Sequence, residues 1–229
     1  PARRGFGCSV RPMVRPSCSA CPVRRSVTKS AAKSATLGVV ALLLSAAAPA
    51  QSPQADMALR MKACTPCHGP EGRAASTGYQ PRIAGKPAGY LGNQLVHFRE
   101  GRRQNALMGG LVAVLDDAYL REIAAYFASL DLPYPPAQTQ QADAARLAAG
   151  ERLVRRGDPA RRLPACTACH GEGMTGVLPA FPGLLGLPRD YLVGQLGAWR
   201  TGTRRTIEPD CMAQIARRLE PDDIEAVTL

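Results

Sequence analysis

Past residue 50 the chain is written twice, and that duplication limits what it can fold into. Cys64-Thr65-Pro66-Cys67-His68-Gly69 returns 102 residues later as Cys166-Thr167-Ala168-Cys169-His170-Gly171. Gly85, Tyr90, Leu91, Gln94, Phe98 and Gly101 return at an offset of 101 as Gly186, Tyr191, Leu192, Gln195, Trp199 and Gly202. Met108 and the acid-led stretch after Leu115 return at an offset of 104 as Met212 and the stretch after Leu219. Three anchors in one order mean two copies of one domain. Solenoid repeats have periods of roughly 20–50 residues, so a period near 100 is a domain duplication.

Each copy reads as helical. Leu, Met and Ala recur at helical spacing over 54–63 and 142–154, ahead of each Cys motif. Residues 90–98 and 191–199 place Tyr, Gln or Leu, and an aromatic on one face, and both stretches stop near a Gly. Residues 116–130 and 221–229 open with acids, which favour a helix N-terminus. No apolar–polar alternation is present, so an all-α fold with almost no sheet is expected. The division is 51–132 for the first domain, 133–142 for a Pro- and Gln-rich linker and 143–229 for the second domain. The second copy stops early: Leu229 aligns with Ala125, so counterparts of Tyr126, Phe127 and Leu130 are missing. A frayed last helix, and a natural chain running past Leu229, are expected.

C-x-x-C-H is the attachment pattern of c-type haem. Two thiols one helical turn apart reach adjacent vinyl groups and form thioethers, and the following His meets the iron. The candidates are Cys64, Cys67 and His68 for one haem and Cys166, Cys169 and His170 for the other, two covalent haem c in all. Disulfide oxidoreductases share C-x-x-C but in a βαβ setting that this chain lacks. A structural zinc site needs four ligands, and each copy offers three locally. Aromatic residues make up only 5% of the chain. That is little to fill two small cores, and a large flat cofactor would occupy the space.

Met108 and Met212 are the only methionines that match across the copies, and each is the expected distal iron ligand of its domain. His97 faces Ala198 in the repeat, so a structural role is expected for it. Cys211, beside Met212, has no counterpart; a small buried thiol is expected, with an intermolecular disulfide as the lesser reading. Arg102, Arg103, Arg204 and Arg205 have two open readings, a solvated cluster or partners for buried haem propionates. Pro81 and Pro182 sit where a backbone carbonyl can orient the proximal His.

The net charge of +11 suggests nucleic acid, but its distribution excludes that reading. Residues 1–50 hold eight basic residues and no acid, leaving 21 basic against 18 acidic residues beyond them. Residues 35–48 are apolar, follow Lys29 and Lys33, and precede Ala48-Pro49-Ala50. This is the layout of a cleaved secretory signal, with an uncleaved anchor as the alternative. Residues 1–50 are therefore expected to be a targeting region. Pro1 to Ser26 reads as sequence upstream of a start at Val27, and Cys8, Cys18 and Cys21 are expected to carry no function.

The two C-x-x-C-H-G motifs, the G-x4-Y-L-x2-Q-L-x2-[FW]-x2-G stretches and the downstream Met resemble the cytochrome c4 family over residues 55–229. The resemblance implies two tandem class I cytochrome c domains, each wrapped around one covalently bound haem. It implies His/Met pairs His68 with Met108 and His170 with Met212, and a periplasmic electron carrier without catalytic residues. Its partners would be a redox donor and acceptor: a quinol-oxidising complex, a dehydrogenase or a terminal oxidase. Association with the membrane surface is an open alternative, as is a role as the cytochrome subunit of a dehydrogenase. A haem sensor or peroxidase with one open iron is the remaining alternative. Two departures mark the second copy: an extra loop at 155–164 and a stretch before Met212 three residues longer than its counterpart.

Overall fold

The computed structural model describes residues 53–74, 78–135 and 142–229. The expected targeting region, with Cys8, Cys18 and Cys21, and residues 136–141 of the expected linker lie outside the described residues. The first copy runs α1 (Pro53–Arg60), a 3₁₀ turn over Met61–Ala63, α2 (Thr65–His68), α3 (Ala88–Arg99), α4 (Ala106–Val112) and α5 (Asp117–Ala128). The second runs α6 (Ala144–Arg156), α7 (Thr167–His170), α8 (Arg189–Thr201), α9 (Cys211–Ala216) and α10 (Pro221–Val227). The one sheet among the described residues is a short antiparallel pair, β1 (Gly176–Val177) and β2 (Phe181–Pro182), with Val177 opposite Phe181. The helices expected from periodicity are present.

Local chemistry sets the helix ends. Asp116 accepts the Tyr119 N–H at 2.8 Å and Asp143 accepts the Arg146 N–H at 2.8 Å, capping α5 and α6. Gly202 ends α8 in the left-handed region at φ 78°, where a side chain would be strained. In α5, Leu120, Ile123, Ala124 and Phe127 form one buried stripe against Leu91 of α3, Met61 and Val112. That is the first core.

The second core is split. Leu163, Leu219 and Ile224 form one cluster, and Trp199, Ala213 and Ala216 form another beside Met212. Here the structure differs from the expectation of a frayed last helix. Ile224, Ala226 and Thr228 are all buried. At Gly150 of α6 a β-carbon would stand 2.2 Å from the Ala226 carbonyl oxygen, so α6 and α10 meet backbone to backbone. The extra loop adds to this core. It closes on itself, Asp158 N–H to Leu163 O at 2.8 Å, and puts Leu163 into the core. From the same loop Arg161 binds Asp158 at 2.7 Å and Asp223 of α10 at 2.6 Å.

The start of the expected linker packs against the first domain. Arg82 donates to Leu132 O at 2.6 Å and to Pro133 O at 3.0 Å, and its guanidinium lies 4.6 Å from the Tyr134 ring centroid. No helix among the described residues is long and apolar enough to cross a membrane.

Two substitutions test these cores. Phe127→Ala should cost about 3–5 kcal/mol in denaturant unfolding of the holoprotein, and a loss below ~1 kcal/mol would contradict its placing. Gly150→Val should part α6 from α10 and loosen the second domain, read as faster amide exchange in both helices with α3 and α5 unchanged.

Candidate functional site

Each C-x-x-C-H motif occupies a single helical turn. The His68 N–H donates to Cys64 O at 3.0 Å and the His170 N–H to Cys166 O at 2.9 Å. A glycine then turns the chain away at once. Gly69 takes φ 76° and Gly171 φ 83°, and at Gly69 a β-carbon would sit 2.1 Å from the Ala74 oxygen. His68 Nδ1 is 3.0 Å from Pro81 O, and His170 Nδ1 is 2.7 Å from Pro182 O. A carbonyl only accepts, so Nδ1 carries the proton and Nε2 keeps its lone pair. Burial pushes both imidazoles below their ordinary value, which favours the neutral ring. The orienting role suggested for Pro81 and Pro182 fits what their carbonyls do.

Both turns border one cavity of about 1730 Å³. Small-molecule pockets typically span about 300–1,000 Å³, so this space is large for one such ligand. Cys64, Cys67, His68 and Met108 line it, and so do Cys166, Cys169, His170 and Met212. Met108 is the third residue of α4, and its N–H is capped by Asn105 Oδ1 at 2.9 Å. Met212 is the second residue of α9, where Asp210 Oδ1 caps the Ala213 N–H at 2.9 Å. The two methionines thus differ by one helical position. The lengthened stretch ahead of α9 is held by buried Asp210, whose other oxygen takes the Thr206 N–H at 2.8 Å.

Between the copies lies a reciprocal cluster that periodicity does not reveal. Arg103 donates to Gln94 of its own copy at 2.9 Å, and to Tyr191 at 2.8 Å and Gln195 at 2.7 Å of the other. Arg204 donates to Gln195 of its own copy at 2.8 Å, and to Tyr90 at 3.3 Å and Gln94 at 2.9 Å of the other. Each guanidinium also lies over the aromatic of its own copy: Arg103 4.5 Å from the Phe98 centroid, Arg204 3.8 Å from that of Trp199. The backbone joins in, Gln104 N–H to Thr203 O at 2.9 Å and Arg205 N–H to Arg102 O at 2.7 Å. So the repeated Tyr, Gln, aromatic and Arg positions are the two halves of one interface. Of the four arginines, Arg103 and Arg204 are buried, Arg102 pairs with Glu100 at 2.6 Å, and Arg205 is exposed.

A further cation crosses the boundary. Lys86 is buried, and its ammonium donates to Gly183 O at 2.5 Å. Burial, with the Arg82 charge beside it, lowers this ammonium from its ordinary value to about 7. His97 is buried on α3, as a structural histidine would be. Cys211 opens α9 half-buried, not the fully buried free thiol expected.

These residues fit a covalently held haem in each copy. The thiols and imidazole share one turn on the wall of an apolar space. Among the described residues no carboxylate pairs with Arg103 or Arg204, and Trp199 Nε1 and Arg204 Nε are buried donors without a partner. Both border the cavity. Buried donors call for an acceptor, and the haem carboxylates are acceptors of the right charge.

Comparison with known proteins agrees. No family model matches the chain. A thiosulfate dehydrogenase electron acceptor of Stutzerimonas stutzeri is 38% identical over 195 residues, 83% of this chain and 89% of that protein. Cytochrome c4 of Pseudomonas aeruginosa is 36% identical over 195 residues, 84% of this chain and 92% of that protein. Among solved structures, reduced cytochrome c4 from Pseudomonas stutzeri superposes with a TM-score of 0.64 at 33% identity, covering 75% of this chain and 93% of that one. Thiosulfate dehydrogenase (TsdBA) from Marichromatium purpuratum superposes with a TM-score of 0.65 at 35% identity; 72% of this chain is covered, and about a third (35%) of that one. The chain belongs to the cytochrome c4 family: it is a dihaem c-type cytochrome of two tandem class I domains, and it carries electrons rather than catalysing a reaction.

Proposed function

We propose that Cys64 and Cys67 hold the first haem by thioethers and Cys166 and Cys169 the second. His68 with Met108, and His170 with Met212, would hold the two irons. The observation that carries this reading is the matched geometry of the two turns: in each, Nδ1 is committed to a proline carbonyl and a methionine lines the same cavity. The supporting organisation is a targeting region over 1–50, carriers over 51–132 and 143–229, and a joining segment over 133–142. The site of action is the periplasm.

A bound haem supplies an iron that gains or loses one electron at a time. The chain's residues do the rest. The Pro81 and Pro182 carbonyls fix each imidazole's tautomer and plane and raise its basicity. Met108 and Met212 would each offer a thioether to the iron and close it to small molecules. Leu91, Phe127, Leu196 and Trp199 border the cavity and keep water from it, which favours the less charged, reduced state. Arg103 and Arg204 tie the domains together, so both sites move as one unit.

Relatives named as thiosulfate dehydrogenase electron acceptors, at 38% and 36% identity, favour a narrower reading of the partner. The donor is a dehydrogenase of an inorganic sulfur anion, and the acceptor is a terminal oxidase or a second small carrier. An oxidase-linked shuttle fed by a quinol-oxidising complex is the broader alternative.

Met108→Ala and Met212→Ala should each open one iron: the reduced variant binds carbon monoxide at one site per chain, and that site's potential falls. Retained six-coordination in either variant would refute that methionine's role. Stopped-flow mixing of the oxidised cytochrome with a thiosulfate dehydrogenase and thiosulfate should reduce both haems. No reduction, with dithionite reduction intact, would leave the quinol-fed shuttle as the reading.

A further inference from the structure

The arginine contacts between the domains come in reciprocal pairs, but the Lys86 contact does not. In the repeat Lys86 stands opposite Leu187, and Arg82 stands opposite Gly183. The first domain therefore sends an ammonium into the second, and the matching position of the second holds a leucine, which has no donor. The ammonium's acceptor is Gly183 O at 2.5 Å. Gly183 directly follows Pro182, whose carbonyl holds His170 Nδ1 at 2.7 Å. The segment is held by backbone contacts. The Leu184 and Leu185 N–H groups both donate to Met174 O, at 2.7 and 3.0 Å, and a β-carbon on Gly183 would stand 2.4 Å from Thr175 O. Lys86 itself is 2% exposed and borders the cavity, so its charge acts with little screening by water.

We propose that Lys86 is a positioning residue for the second haem: from the first domain it clamps the loop that orients His170, and its charge raises the second site's reduction potential relative to the first. This rests on His170 being an iron ligand. Two effects act in the same sense. A nearby buried cation favours the iron state of lower positive charge, the ferrous one. It also draws electron density from the loop whose carbonyl accepts the His170 proton, which weakens that bond and the imidazole's donor strength. The near-identical turns thus differ in potential because one Lys breaks the symmetry of the repeat.

The test is an NMR redox titration of the holoprotein at pH 6, following the shifted haem signals of each domain separately, for wild type, Lys86→Met and Lys86→Arg. Lys86→Met keeps the length of the side chain and removes the charge. It should move the second site toward the ferric state on the order of tenfold at fixed potential, leave the first site unchanged, and speed amide exchange at Leu184 and Leu185. Lys86→Arg keeps the charge and should restore most of the shift. An unchanged second site in Lys86→Met, an equal shift at both sites, or equal shifts in the two variants would overturn the proposal. A wild-type spectrum without histidine on the second iron would overturn the ligand assignment beneath it, and that failure is read before any variant is compared.

Discussion

Two guanidinium groups buried between two domains, with no carboxylate to meet them among the described residues, set the terms for the rest of the molecule. Burying an unpaired cation costs several kcal/mol even after relaxation. Gln94, Gln195, Tyr90 and Tyr191 meet Arg103 and Arg204 with neutral oxygens and offset part of that cost. The remaining demand is for negative charge, and a haem brings two carboxylates. Docking of the domains and burial of the arginines therefore go together, and the donors left over face the cavity.

The same cluster explains which features are legible in the sequence. C-x-x-C-H is readable because thioether chemistry demands contiguous residues. The methionines stand out because the repeat gives each its twin, and both line the cavity. The repeated Tyr, Gln and aromatic positions read as one helix face, but their reason lies in the other copy. Tyr90 answers Arg204 and Tyr191 answers Arg103, pairs more than 80 residues apart whose meeting depends on how two domains dock. The extra loop at 155–164 reads only as a departure from the repeat. Its Leu163 and Arg161 instead complete the core and hold α10, which no local pattern could disclose.

Departures from the repeat carry information of a different kind. Positions that match across the copies build the shared machinery: two His–carbonyl bonds, two methionines, two buried arginines. Positions that differ make the sites unequal. Asn105 and Asp210 cap the methionine helices one register apart. Lys86 faces a proximal loop where its twin, Leu187, has no donor to offer. A two-site carrier with a difference in potential gives the electron a preferred resting place, which a perfectly symmetric pair would not.

The central claim is that both irons sit between a histidine and a methionine. Near-infrared magnetic circular dichroism and electron paramagnetic resonance of the fully oxidised protein, with haem counted per chain, test it most directly. Two haems per chain, both low-spin ferric and both with a methionine-to-iron charge-transfer band, are the expected result. A single haem, a high-spin site or a bis-histidine site would contradict it.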